Sequence, residues 1–268
     1  MTTPTIEETT MRPTEPARAG HLRGVAAVDR RLRRNGAVVG IWFWAVYALY
    51  SVGITLGNAA AGNDLEISAL DSTIGASRWL MIWLGISASV GILALHLAAG
   101  ASRRSLFEGV VRGALVVGAG FGVVTTLALL GERVLNTSLG MSWARLGALP
   151  FDSVGAVLGT AVAEALVITT YILVGACFGA GFTHAGARGG FLIVPLAVPA
   201  VLVDLATRTG VVGVIANVDL RPDLDHAEVS TSEGLATTLL GIGGGVLAVV
   251  LAAVVLYALL RTVPVRPA

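Results

Sequence analysis

The sequence predicts an all-α polytopic membrane protein with six transmembrane helices and an N-terminal amphipathic interfacial helix. Two features of the composition predict this fold class: 55% of the 268 residues are hydrophobic, and only 13% are charged. Soluble globular chains carry roughly 25% charged residues, which they need to cover their surface. The third observation is that six long stretches are nearly free of charge, and about 20 apolar residues suffice to cross a bilayer core.

The segments before the first span have two different characters. Residues 1–16 are rich in Thr, Glu and Pro, which predicts a disordered cytoplasmic tail. Residues 17–36 carry apolar residues at helical spacing among arginines, which predicts an amphipathic helix in the headgroup layer. The alternative is that these arginines only set the orientation of the first span. Residues 37–262 form the six-helix transmembrane domain, with spans at about 37–57, 79–100, 111–131, 153–182, 190–210 and 235–260.

The fifth span is the least regular of the six. Asp204 and Arg208 interrupt it and are four residues apart, a spacing that predicts an ion pair on one helix face. Pro195 and Pro199 remove backbone donors and predict a kink. The pattern leaves open whether residues 191–218 cross once or include a re-entrant segment.

The arginines predict the orientation. Thirteen of the 18 basic residues fall on the side that holds both termini, and five fall on the other side, among them Arg78 and Arg145. By the positive-inside rule both termini are cytoplasmic. There is no lysine in the chain, which excludes Schiff-base chemistry, a pyridoxal site and a P-loop lysine on this chain. No nucleophile–base pair and no cluster of metal ligands is visible, so we expect neither a catalytic nor a metal site.

A short charged segment follows the second span and reads Ala99-Gly100-Ala101-Ser102-Arg103-Arg104-Ser105-Leu106-Phe107-Glu108. Glu108 lies four residues from both Arg104 and Arg112, so a helix here gains two ion pairs. A short charged helix with an apolar side is suited to a groove on a cytoplasmic partner. An ordinary positive-inside loop is the alternative.

The run from Gly100 to Phe107, placed after the second of six spans, resembles the integral-membrane permeases of type-2 ABC exporters. The topological likeness extends over about residues 20–262. The resemblance implies that this segment is the coupling helix that docks onto a separate ATPase subunit. The coupling contact would be carried by Arg103, Arg104, Ser105, Leu106, Phe107 and Glu108.

The same resemblance implies a non-catalytic permease subunit that moves a hydrophobic or amphipathic substrate such as a drug, a peptide or a lipid. Its expected partners are two copies of the ATPase, a second permease copy or a homologue, and the lipid bilayer, with no nucleic acid. We expect no cofactor on this chain, because ATP and Mg²⁺ would bind the partner ATPase. The expected location is the plasma membrane of a bacterium, and the richness in Ala, Gly, Val and Arg favours an actinobacterial one.

Three residues inside the spans are candidates for a substrate pathway. Glu164 lies near mid-bilayer, where a carboxylate is costly and usually faces protein or water. It would bind a cationic or polar substrate or take up a proton, or else be a paired structural residue. Tyr47 and Tyr50 either line a cavity for an apolar substrate or serve in anchoring and packing. An ion-coupled secondary transporter centred on Glu164 and a non-transport membrane scaffold therefore remain alternatives to the exporter.

Glycines four residues apart predict close helix packing. They occur as the pairs Gly118/Gly122, Gly155/Gly159, Gly175/Gly179 and Gly241/Gly245.

Overall fold

The computed structural model of the chain describes residues 15–63, 67–145, 151–207 and 231–262. Within these ranges every regular element is helical, and six helices are long and apolar enough to cross a membrane. The predicted all-α fold with six spans is confirmed, and the chain is a multi-pass membrane protein. The elements in chain order are α1 (Glu15–Ala61), α2 (Ala69–Thr73), α3 (Ala76–Ala98), α4 (Arg103–Ser138), α5 (Val154–Ala185), a 3-10 helix (Gly186–Leu192), α6 (Ile193–Thr207) and α7 (Thr231–Thr262).

Successive spanning helices alternate in direction. The segment between α3 and α4 therefore lies on the side of the bundle where α1 begins, which we call the N-terminal side. The short helix α2 and residues 139–145 lie on the other side, which we call the opposite side. The predicted disordered tail falls largely outside the described residues.

The first helix is longer than predicted. The amphipathic segment 17–36 is helical, but it continues without a break into the first span, so that α1 has 47 residues and a length of about 70 Å. Its apolar side packs on α4, because Val28 and Leu32 are buried beside Gly109 and Gly113. The absence of side chains on these two glycines lets the two helices approach closely.

Helix α5 lies at the centre of the bundle. It packs against α3, α4, α6 and α7, whereas α1 packs mainly on α4. Most of its length is buried, from Gly159 to Gly181. A helix that is apolar around its whole circumference is the expected occupant of such a position.

The fifth predicted span is divided. A 3-10 helix leads into α6, whose 15 residues measure about 23 Å and are too short to cross a hydrocarbon core of about 30 Å alone. The two elements together reach the required length. Pro199 lies inside α6.

Glycines allow backbone contact between the helices around α5. A Cβ atom added to Gly85 of α3 would overlap a backbone carbonyl oxygen of α5, and one added to Gly175 of α5 would overlap a carbonyl oxygen of α3. Gly155 meets no atom within 4 Å, so its predicted role in packing is not supported. The predicted close packing is confirmed for both glycines of the pairs Gly118/Gly122, Gly175/Gly179 and Gly241/Gly245.

We expect Gly85→Ala to lower the melting temperature of the purified protein in detergent. The added methyl group forces α3 away from α5, at a cost of about 1–3 kcal/mol. Gly91→Ala is the matched control on the same helix, because no atom lies within 4 Å of its added Cβ. A thiol-reactive dye that reports exposure of the buried Cys177 measures unfolding. Equal melting temperatures for the two variants would contradict the role of Gly85.

Candidate functional site

An arginine and an aspartate form an ion pair inside the helix bundle. Arg78, in the first turn of α3, and Asp204, near the end of α6, are 1% and 2% exposed. Arg78 Nε lies 3.4 Å from Asp204 Oδ1. Tyr171 of α5 donates a hydrogen bond of 2.6 Å to Asp204 Oδ2. These contacts tie α3, α5 and α6 together at one level of the bundle.

A second pair of this kind lies towards the opposite side. Arg145, in the segment that follows α4, places Nη2 3.1 Å from Asp71 Oδ1 of α2. Its Nη1 donates a hydrogen bond of 3.3 Å to Thr160 Oγ1 of α5. Both charged side chains are 6% exposed, so this pair is also shielded from the surroundings.

Glu164 lies between the two pairs. It is 2% exposed and shares a face of α5 with Thr160 and Tyr171, which contact one pair each. Its carboxyl group is within electrostatic range of both arginines and both aspartates of the two pairs. Of the two surroundings expected for this carboxylate, protein or water, the structure gives it protein. We call Asp71, Arg78, Arg145, Glu164 and Asp204 the buried charge cluster.

The guanidinium group of Arg78 has hydrogen-bonding capacity that the pair with Asp204 does not use. None of its three nitrogen atoms makes a hydrogen bond to the described residues, although the side chain is fully buried. Buried donors are nearly always bonded, because an unbonded one loses its hydration without compensation. The cluster therefore has donors that can bind a polar group.

Sequence reasoning missed most of this cluster. It placed Arg78 and Arg145 in outer loops, whereas Arg78 is buried and the side chain of Arg145 is only 6% exposed, and it paired Asp204 with Arg208. The structure pairs Asp204 with Arg78, and Arg208 lies outside the described residues. One signal was present: two acids within apolar spans require cations, and Arg78 directly precedes the apolar run of the second span.

Glu132 forms a separate buried network near the opposite side. Its carboxylate is 4% exposed and accepts hydrogen bonds from the hydroxyls of Ser51 and Ser68. The backbone N–H of Leu70 donates at 3.0 Å, and Trp143 Nε1 donates at 3.3 Å. One carboxylate thus joins α1, α2, α4 and the segment after α4. Glu132 directly follows the predicted third span, 111–131, and the spacing of the sequence did not predict its burial within α4.

The segment of residues 99–108, which we call the α3–α4 segment, lies on the N-terminal side. Ser102 caps α4, because its Oγ accepts a hydrogen bond of 3.1 Å from the backbone N–H of Ser105. Ser105 and Leu106 are buried, and Ser105 Oγ lies 2.9 Å from His96 Nε2 of α3. Two of the six predicted docking residues therefore face the interior of the chain.

Two further residues of this segment contact the end of α7. Arg103 Nη1 donates a hydrogen bond of 2.9 Å to the carbonyl oxygen of Arg261, within the last turn of α7. The ring centroid of Phe107 lies 5.3 Å from that of Tyr257. A cation at a helix C-terminus satisfies carbonyl groups that have no partner within the helix. The segment is thus fastened to α7 by one charged and one aromatic contact.

Glu108 links the segment to α1. Arg104 Nε donates to it at 2.9 Å, as the sequence predicts, and His21 Nε2 of α1 lies 3.0 Å from its other oxygen. The second predicted partner, Arg112, is thus replaced by His21 among the described residues. The side chain of Arg104 is 76% exposed. It is therefore more accessible than Arg103, the other arginine of the segment, which is half-buried.

The two tyrosines of the first span differ in exposure. Tyr47 is half-buried and stacks on Phe43 with ring centroids 4.1 Å apart. Tyr50 is 44% exposed. These contacts give Tyr47 a packing role and leave Tyr50 facing outward.

No group of three or more His, Cys, Asp or Glu side chains that could hold a metal ion occurs among the described residues. No family model, no curated protein and no solved structure matches this chain.

Proposed function

We propose that the chain is the membrane-spanning permease subunit of an ABC exporter. Two permease copies, or one copy and a homologue, form the pathway in a bacterial plasma membrane, with both termini cytoplasmic. Two copies of a separate ATPase bind and hydrolyse ATP with Mg²⁺. The cargo is hydrophobic or amphipathic, which suits a bundle whose spans are almost wholly apolar.

The contacts of the α3–α4 segment carry this proposal. Within six residues, 103–108, the segment contacts α1 through Glu108, α3 through Ser105 and α7 through Arg103. A displacement applied to the segment by a partner protein is therefore transmitted to three other spanning helices as well as to α4. An ordinary loop that only satisfies the positive-inside rule does not need such contacts.

The residues of the α3–α4 segment differ in burial and in contacts, and this difference supports the same function. Ser105 and Leu106 are buried and anchor it, whereas Arg104 projects outward and remains available to an acidic groove of the ATPase. Arg103 and Phe107 pass movement to α7. In this arrangement, movement of the helices that begins at the α3–α4 segment reaches the buried charge cluster, which includes Glu164.

The experiment is affinity purification of the full chain from its native membrane in mild detergent. We expect a Walker-motif ATPase to co-purify in a 1:1 ratio of subunits. Arg104→Glu should reduce the amount of bound ATPase at least tenfold, because it places a like charge against an acidic groove. Membrane insertion should not change, since this side chain is exposed.

The matched control is Arg188→Glu, an exposed arginine on the same side but on the 3-10 helix. It makes the same change in charge and should leave the bound ATPase unchanged. Arg103→Glu is a poorer test, because it also removes the contact with α7. Equal co-purification with the wild type and the Arg104→Glu variant would contradict docking at this segment.

The buried charge cluster favours a second candidate, an ion-coupled secondary transporter. A carboxyl group surrounded by two arginines and two aspartates whose side chains are shielded from solvent is an arrangement that pumps and transporters use to bind or release protons. This candidate predicts that the chain purifies alone and moves its substrate on an ion gradient. Glu164→Gln should then abolish the dependence on the gradient.

A further inference from the structure

A groove runs between α1 and α3. Its volume is about 930 Å³, and its walls come from one face of α1 and one face of α3. The residues on which the argument rests are Arg30, Arg31, Arg34, Asn35, Leu80 and Trp83.

One end of the groove is cationic. Arg30, Arg31 and Arg34 all line it and are all exposed. In this stretch Asp29 pairs with Arg33, which is not among the groove residues, so it does not neutralise the three that are. Three arginines within five residues repel one another unless an anion lies between them.

The other end of the groove is apolar. Helices α1 and α3 are antiparallel, because Gly24 lies beside His96 and Gly36 beside Leu84. Trp83 and Leu80 therefore lie farther from the N-terminal side than the arginines do. With a rise of 1.5 Å per residue, Arg30 lies about 9 Å from the level of Leu84 on one side, and Leu80 lies about 6 Å from it on the other.

Trp83 is unusual for a residue beside a groove because it is 69% exposed. It does not pack into the protein interior and offers a flat apolar surface to whatever lies in the groove. The groove thus changes from cationic to apolar along its length, and its cationic end is the one nearer the N-terminal side.

We propose that this groove binds one anionic phospholipid from the leaflet on the N-terminal side. The phosphate group lies among Arg30, Arg31 and Arg34, and an acyl chain lies along Leu80 and Trp83. Arginine suits this role because its planar guanidinium group binds two oxygen atoms of a phosphate at once. Basic pockets between transmembrane helices bind acidic lipid headgroups by this chemistry.

The charge of the headgroup decides between lipids. A zwitterionic phospholipid offers the same acyl chains, but its own amine competes with the arginines for the phosphate. The groove therefore selects phosphatidylglycerol over phosphatidylcholine. The proposal does not depend on the proposed function, because a resident lipid is bound whatever the protein transports.

The first test measures lipid binding to the purified full chain by native mass spectrometry. We expect one phosphatidylglycerol molecule to remain bound under conditions that remove phosphatidylcholine. The triple variant Arg30→Gln, Arg31→Gln, Arg34→Gln should weaken phosphatidylglycerol binding about tenfold or more. A control variant with the same loss of charge on the same side combines Arg18→Gln, Arg23→Gln and Arg188→Gln, three exposed residues outside the groove.

The second test locates the acyl chain by fluorescence quenching in vesicles. Brominated phosphatidylglycerol at low mole fraction should quench Trp83 more than brominated phosphatidylcholine does. Trp83→Phe should remove this difference, whereas Trp79→Phe should keep it, because Trp79 is 63% exposed on the same helix but does not line the groove. Equal binding of the two lipids, equal losses in both arginine variants, or an unchanged difference in Trp83→Phe would each overturn the proposal.

Discussion

Asp204→Leu should destabilise the protein by about 3–5 kcal/mol, which is the usual cost of leaving one member of a buried ion pair without its partner. The substitution leaves Arg78 with no counter-charge at 3.4 Å, in a position where the side chain is 1% exposed. Tyr171 also loses the acceptor of its 2.6 Å hydrogen bond. The measurement is the melting temperature in detergent, reported by dye labelling of Cys177, and we expect a fall of several degrees.

The double variant Arg78→Met, Asp204→Leu should recover most of this loss. Replacing both members of a buried ion pair by apolar side chains of similar volume is often neutral or stabilising, because neither charge must be taken out of water. Adding Tyr171→Phe removes the hydroxyl group that the loss of Asp204 leaves without its acceptor, and should recover a further part. A double variant that melts as low as Asp204→Leu alone would show that the loss does not come from an unpaired Arg78.

This series also separates stability from function. If the buried charge cluster only holds α3, α5 and α6 together, the stable double variant should keep full transport. If the cluster binds a polar substrate or a proton, the double variant should fold normally and lose transport. Wild-type activity in a stable double variant would leave Arg78 and Asp204 with a structural role alone.

Glu132→Gln should cost about 3 kcal/mol or more, although the two side chains have nearly the same shape. The carboxylate accepts bonds from Ser51, Ser68, Leu70 N–H and Trp143, and hydrogen bonds to a charged group contribute about 1.5–3 kcal/mol each. An amide has only one acceptor oxygen, and its NH₂ group would face donors. The melting temperature should therefore fall, and the fluorescence of Trp143 should shift as its N–H loses its acceptor.

Asp152→Asn is the matched control for Glu132→Gln. Asp152 precedes α5 near the same side and is exposed, so its loss of charge should change the melting temperature little. If the two variants melt at the same temperature, the network around Glu132 contributes nothing to stability.

Much of the fold was predictable because the bilayer imposes it. A span must be helical to satisfy its backbone groups and must be about 20 residues long to cross the hydrocarbon core. Stretches free or nearly free of charge therefore located all six spanning helices. The start of α4 was also readable, since Ser102 stands where a capping residue is needed and Arg104 and Glu108 have the spacing of an ion pair.

The partners of the buried charges were not predictable from local spacing. Arg78 and Asp204 are 126 positions apart in the chain, whereas Arg208 lies four residues from Asp204 and has the spacing of an ion pair on one helix. The choice depends on which helices are neighbours and how each is rotated about its axis. Because α5 is apolar around its whole circumference, its sequence indicates neither its neighbours nor its rotation.

The sequence alone therefore determined the class of the protein, the number of its spans and the helical character of the α3–α4 segment. Only the tertiary structure decided which polar groups meet: Glu164 between two buried ion pairs, Glu132 under four donors, and Glu108 bonded to His21 of α1. The physical reason is the distance along the chain over which each interaction acts. Hydrophobicity and helix caps act within a few residues, whereas buried charges find partners across a bundle whose packing is set by glycines such as Gly85 and Gly175.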